Sequence, residues 1–194
     1  IGVYFLLEKS DLAREMFDRA IAIKPDAVMY SNMATVEFYE GLYANAVTLY
    51  EEAIKLGEEN STIFGNLADS YRYATGDSEK AQQAYRDAIR LGEKELAIYP
   101  GDVRLRSRLA GYYVEVSDYK NAIAEITNAK SMAPNNSYVL QKCVLVFELA
   151  EQRENALQAL SEYIKLDGSM EEIEKDPDLS GLRVDPRYRQ LVNR

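Results

Sequence analysis

The residues best equipped to hold a ligand are two arginines. Arg104 and Arg108 stand four apart, so on a helix they share one face. A guanidinium fork grips a carboxylate through two parallel hydrogen bonds. Asn66 offers a donor and an acceptor on one side chain, the combination that holds peptide backbone. Catalytic chemistry has no such footing. The chain contains no histidine for general-base work, no Ser/His/Asp or Cys/His set and no glycine-rich phosphate loop. Adjacent acids such as Glu51-Glu52, Glu58-Glu59 and Glu171-Glu172 point in different directions on a helix and read as solvated faces. The stretch from Asp167 lacks the turn glycine and closing glutamate of a calcium loop. A single cysteine rules out an internal disulfide, and without histidine no Cys/His zinc site forms. Cys143 sits in the apolar run QKCVLVFEL, which favours a buried thiol. The expectation is a binding protein with no enzymatic activity, no metal and no cofactor.

Charge narrows the ligand. Net charge is −9 over 194 residues, and a reader of nucleic-acid backbone needs a cationic footprint. Direct nucleic-acid binding is therefore not expected. No apolar stretch approaches the ~20 residues of a membrane-spanning helix, so no membrane insertion is expected within these residues. The pattern begins at Ile1 in mid-helix without a methionine, as in a piece of a longer protein. The compartment is left between the cytoplasm, which is favoured, and an extracytoplasmic arm of a membrane-anchored protein. Asn60-Ser61-Thr62 and Asn135-Asn136-Ser137 match a glycosylation sequon, and both read as chance matches in inter-repeat turns.

The elements that must position the arginines come in repeats. A small–large–small triplet recurs at Ala13–Phe17–Ala20, Ala46–Tyr50–Ala53, Ala81–Tyr85–Ala88 and Ala122–Ile126–Ala129, and in weaker form at Ala156–Leu160–Tyr163. Its leading alanines lie 33, 35, 41 and 34 residues apart. A period in the low-to-mid thirties marks stacked helix-turn-helix units. The alanines have a mechanical role, because helices cross closely only where intervening side chains are small. Tyr50, Tyr71, Tyr85, Tyr113 and Tyr163 fall at helix–helix seams, where an aromatic body with a polar tip fits.

Each unit reads as a helix A, a short turn and a helix B. Tyr30, Met33, Ala34, Glu37 and Phe38 follow helical spacing up to Gly41, and Tyr43 to Ile54 form the next stripe. Gly76-Asp77 and Ser117-Asp118 mark the same turn in later units. Pro25 and Pro134 close helix B, since proline cannot continue a helix interior. Asp102 and Ser137 stand as N-caps or near-caps. Repeat one keeps only the end of helix A, Ile1 to Glu8, and a full helix B. The 41-residue interval predicts a helix B in repeat three lengthened by about two turns, ending at Tyr99-Pro100-Gly101, with Gly92 its weak point. The predicted domains are an array over residues 1–168, with repeats at about 1–26, 27–60, 61–102, 103–136 and 137–168, and a capping segment over 169–194. That last segment carries two Asp-Pro steps yet keeps Ile173, Leu179, Leu182, Val184, Tyr188 and Leu191 for the open end of the array.

These marks together resemble the tetratricopeptide repeat. The resemblance covers residues 1–168 and implies an all-α fold, a right-handed α-α superhelix of about five repeats. It departs at Glu58 and Glu93, which replace the closing proline, and at Tyr163, where a small residue is usual. The stretch FGNLADSYRYATGDSEKAQQAYRDAIRLGEKELAIYPGD, with the later EIEKDPDLSGLRVDPRY, is similar to repeat regions attached to bacterial serine/threonine kinases and winged-helix regulators.

The resemblance implies a concave groove lined by the A helices that binds a peptide or protein segment. Its exposed inner positions would include Ser31, Asn32, Thr35, Phe38, Tyr39, Asn66, Asp69, Tyr73, Arg104, Ser107, Arg108 and Gln141. The expected peptide-binding set is Asn32, Phe38, Tyr39, Asn66, Tyr73, Arg104 and Arg108, with the aromatics as anchors. It resembles in part a clamp for a peptide's C-terminal carboxylate, although Ser31 and Thr35 occupy the places of the clamp's lysine and asparagine. The alternative for the arginines is pairing with Asp69, Glu115 or other surface acids. The alternative for the whole chain is a self-associating spacer, a homodimer, in a kinase or regulator.

Overall fold

A computed structural model describes residues 9–74, 76 and 78–192. The expected end of helix A in repeat one, Ile1 to Glu8, lies outside them, as does Asp77. The described residues are helical with no strand. The chain divides into two compact units, Ile1–Gly92 and Glu93–Arg194.

In the first unit α1 (Ser10–Ile23) is followed by α2 (Ala27–Tyr39), α3 (Tyr43–Lys55) and α4 (Ser61–Ala74). Asp26 accepts from the amides of Val28 and Met29 and so caps α2. Asn60 accepts from the Ile63 amide at the start of α4. Ala34, Ala46, Tyr50, Ala53, Ile63 and Leu67 form the buried core, with Tyr30, Phe38, Phe64 and Tyr71 packed around it. The small residues let α2, α3 and α4 approach, and Tyr50 fills the space one turn on. Phe17 meets Tyr30 edge to face at 5.3 Å and joins α1 to α2. Glu37 is buried. It accepts from Arg14 Nε at 2.7 Å and Asn45 Nδ2 at 2.9 Å, so Arg14 supplies the counter-charge and both oxygens are hydrogen-bonded.

The long helix expected from the 41-residue interval is α5 (Ser78–Ile98), 21 residues against 13 in α3. Gly92 does not interrupt it, and the division between the units falls there.

The second unit continues with α6 (Val103–Glu115), α7 (Tyr119–Met132), α8 (Ser137–Leu149) and α9 (Arg153–Lys165). Asp102 caps α6 through the Leu105 amide. At α8 the cap is Asn136, which accepts from the Val139 amide, and Ser137 is the first helical residue. Ala122, Ile126, Ala129, Leu140, Cys143, Ala156 and Leu160 are wholly buried. The chain then forms α10 (Met170–Lys175), a 3-10 turn (Pro177–Leu179), α11 (Ser180–Arg183) and α12 (Pro186–Val192). Ile173, Leu179, Leu182 and Tyr188 are buried, and Arg183 donates to the carbonyls of Ile173 and Asp176.

The A–B turn has one backbone signature. Gly41, Gly76, Ser117 and Glu151 all adopt left-handed φ, at 78°, 63°, 61° and 59°. Only two of them are glycine, the residue that does so without a Cβ penalty.

Candidate functional site

In the first unit the C-terminal ends of α2 and α4 bring four rings together. Phe38 meets Tyr39 at 5.8 Å, Tyr43 at 5.3 Å and Tyr73 at 6.0 Å, all edge to face. Tyr43 stacks on Tyr73 at 5.2 Å, and the Arg72 guanidinium lies 5.7 Å from the Tyr73 ring centre. Phe38 and Tyr73 are 35 residues apart, one repeat interval. Tyr39 and Tyr73 are 65% and 45% exposed, so the cluster presents aromatic surface outward while Phe38 packs behind it. Tyr43 is not among the binding residues expected from the sequence. Its place, two residues after Gly41, is the signal that brings it back against the end of α2.

Asn32 is exposed on α2 and Asn66 half-buried on α4. Thr35 and Asn66 hydrogen-bond the phenol of Tyr50, which burial pushes up to about 12 against those two bonds. Asp69 accepts from the Tyr85 hydroxyl.

In the second unit Arg104 is exposed and Arg108 half-buried on α6. The Arg104 guanidinium lies 4.7 Å over the Tyr138 ring, and Lys142 Nζ is 5.8 Å from the same centre. Arg108 Nε is buried without a hydrogen-bond partner. Among the described residues of this unit no ion pair engages Arg104 or Arg108, so neither pairs with Glu115. Ser107 corrects the sequence reading. It is fully buried and donates to the Val103 carbonyl, because it faces the helix packing rather than the inner surface. Gln141 donates to Glu172 at 2.8 Å. Cys143 is buried as expected, and burial pushes its thiol up to about 12.

Paired helices with buried alanines at fixed intervals, and outward polar and aromatic side chains on the A helices, define a helical-repeat binding scaffold. Residues 25–94 match the tetratricopeptide repeat family model. Those residues carry tetratricopeptide repeats, and the helical fold of the chain is that of solved tetratricopeptide repeat proteins. Similar solved structures include a thermophilic TPR protein of Thermus thermophilus, at 17% identity over 98% of this chain and 94% of that one, TM-score 0.62. PilW, a widely conserved type IV pilus biogenesis factor, is 11% identical over 97% and 86%, TM-score 0.66. YrrB, a TPR protein with an unusual peptide-binding site, is 19% identical over 84% and 82%, TM-score 0.55. At these identities the likeness is one of fold.

Proposed function

We propose that this chain is a protein–protein interaction module that grips a peptide or protein segment along its A helices. The observation that carries the reading is the outward-facing cluster of Phe38, Tyr39, Tyr43 and Tyr73. Rigid aromatic surface of this kind anchors protein partners at small entropic cost. Asn32 and Asn66 add backbone hydrogen bonding in the first unit. Arg104 and Arg108 offer carboxylate recognition in the second. The peptide-binding site of the similarly folded YrrB agrees with this use of the fold.

The module serves as an arm of a larger signalling or regulatory protein, the setting its similarity to kinase- and regulator-attached repeats suggests. Residues 169–194 close the array: deleting them lowers the thermal midpoint of the second unit, because Ile173, Leu179 and Leu182 are buried.

An immobilised peptide array, probed with wild-type protein and with Tyr39→Ala/Tyr73→Ala and Asn66→Ala/Arg108→Glu, tests the groove. Both double variants keep their helical circular dichroism and lose the peptides that the wild type captures. Unchanged capture by both removes the groove reading. The second reading, self-association, draws on the exposed Leu12, Met16 and Ile23 of α1. A concentration-dependent dimer in analytical ultracentrifugation that Met16→Glu abolishes would favour it.

A further inference from the structure

Two stripes of equivalent positions run side by side in the second unit. Arg104 and Tyr138 are 34 residues apart, and so are Arg108 and Lys142. Both pairs step from α6 to α8 at the repeat interval, so the four side chains share one face. The Arg104 and Lys142 charges each lie within 6 Å of the Tyr138 ring centre. Among the described residues no carboxylate pairs with Arg104, Arg108 or Lys142, and Arg108 Nε is buried with no acceptor. This runs against composition, since the chain carries 32 acids against 23 bases. Glu172 takes its hydrogen bond from Gln141, the neighbour of Lys142 in the chain.

Arg108 and Lys142 are half-buried and unpaired, and a partly desolvated cation is costly unless a counter-charge completes it. We propose that Arg104, Arg108, Tyr138 and Lys142 form a subsite for an acidic protein segment, with Tyr138 as the platform and Lys142 as a third cation beside the two arginines. The inference rests on the interaction-module reading and names the chemistry of the partner. In an extended segment, carboxylates two residues apart point the same way about 7 Å from each other. Two cations that lie 4.7 and 5.8 Å from one ring centre are at most about 10 Å apart, within reach of such a pair. The fitting ligand therefore carries acidic residues at alternate positions. A nucleic-acid backbone fits poorly, because the net charge of −9 repels a long polyanion while three cations hold a short acidic run.

The test uses a fluorescein-labelled peptide of alternating glutamate and serine, with its glutamine–serine counterpart, in anisotropy titrations against the whole chain. The glutamate peptide binds and the glutamine peptide does not. Lys142→Glu and Tyr138→Ala each weaken binding about tenfold, equivalent to about 1.4 kcal/mol. Lys142→Arg and Tyr138→Phe, which keep the charge and the ring, stay close to wild type. Melting curves confirm that all four variants are folded. Equal affinity for the two peptides, no binding of either, or wild-type binding by Lys142→Glu would overturn the inference. The module reading would then still stand or fall on the array result with Tyr39 and Tyr73, which lie in the other unit.

Discussion

The phenol of Tyr113 donates a hydrogen bond to the carboxylate of Glu93 at 2.7 Å, twenty residues back along the chain. Tyr71 bonds Glu51 across the same twenty residues. In both cases the acid lies on a helix B and the tyrosine on the following helix A. Glu51 belongs to a helix of ordinary length, whereas Glu93 lies in the added turns of α5. The residue that stands where a closing proline is usual thus prolongs the helix and supplies the acceptor for the next one.

Tyr113→Phe removes that bond and leaves the carboxylate to solvent. The expected cost is about 1 kcal/mol, or roughly 2–4 °C in the thermal midpoint followed by circular dichroism. An unshifted midpoint would show that the bond contributes nothing net.

Arg14 and Glu37 form a partly buried ion pair. Arg14→Met strands the Glu37 charge and is expected to cost about 2–4 kcal/mol. Adding Glu37→Met recovers much of that loss, because two apolar side chains replace two desolvated charges. A double variant less stable than the single in urea titration would contradict this account.

Stability falls at alkaline pH. Burial holds the Cys143 thiol and the Tyr50 phenol at about 12 and raises Tyr113 in the same direction, with the Glu93 carboxylate adding to it. Each folded value lies above the unfolded one, ~8.5 for Cys and ~10 for Tyr. Their stabilisation is fully present below those unfolded values and is lost as pH climbs toward the folded ones. The thermal midpoint therefore declines from about pH 9 upward, and native Cys143 stays inert to thiol reagents at pH 8. A flat profile to pH 11 would refute the shifts.

Ser117 and Glu151 hold a left-handed backbone that suits glycine. Ser117→Gly and Glu151→Gly are each expected to add about 1 kcal/mol of stability. Gly41→Ala, at the equivalent turn, should cost a similar amount although open space surrounds its Cβ position. Opposite signs in denaturant titration would mean that the turn relaxes on substitution.

The repeat period, the long α5, the buried alanines and the buried Cys143 were legible because each follows from spacing along the chain. The turn at Glu151 was not, because glutamate carries no turn signal and the packed hairpin imposes the conformation. Ser107 misled for a related reason: a small hydroxyl that bonds its own helix at Val103 packs like an apolar residue. Tyr138 and Lys142 carry no signal of their own in the sequence, because they gain meaning only beside Arg104, on a different helix. Both lie one repeat interval, 34 residues, beyond Arg104 and Arg108.

The unpaired cations on α6 and α8 form a small basic island in an acidic molecule. On the acidic-segment proposal, a negatively charged visitor is repelled from afar and held once it arrives. At cellular salt the repulsion fades within roughly 8 Å. Raising ionic strength from a low value should then quicken arrival while shortening the stay, so recognition here depends on fit at close range rather than on capture from a distance.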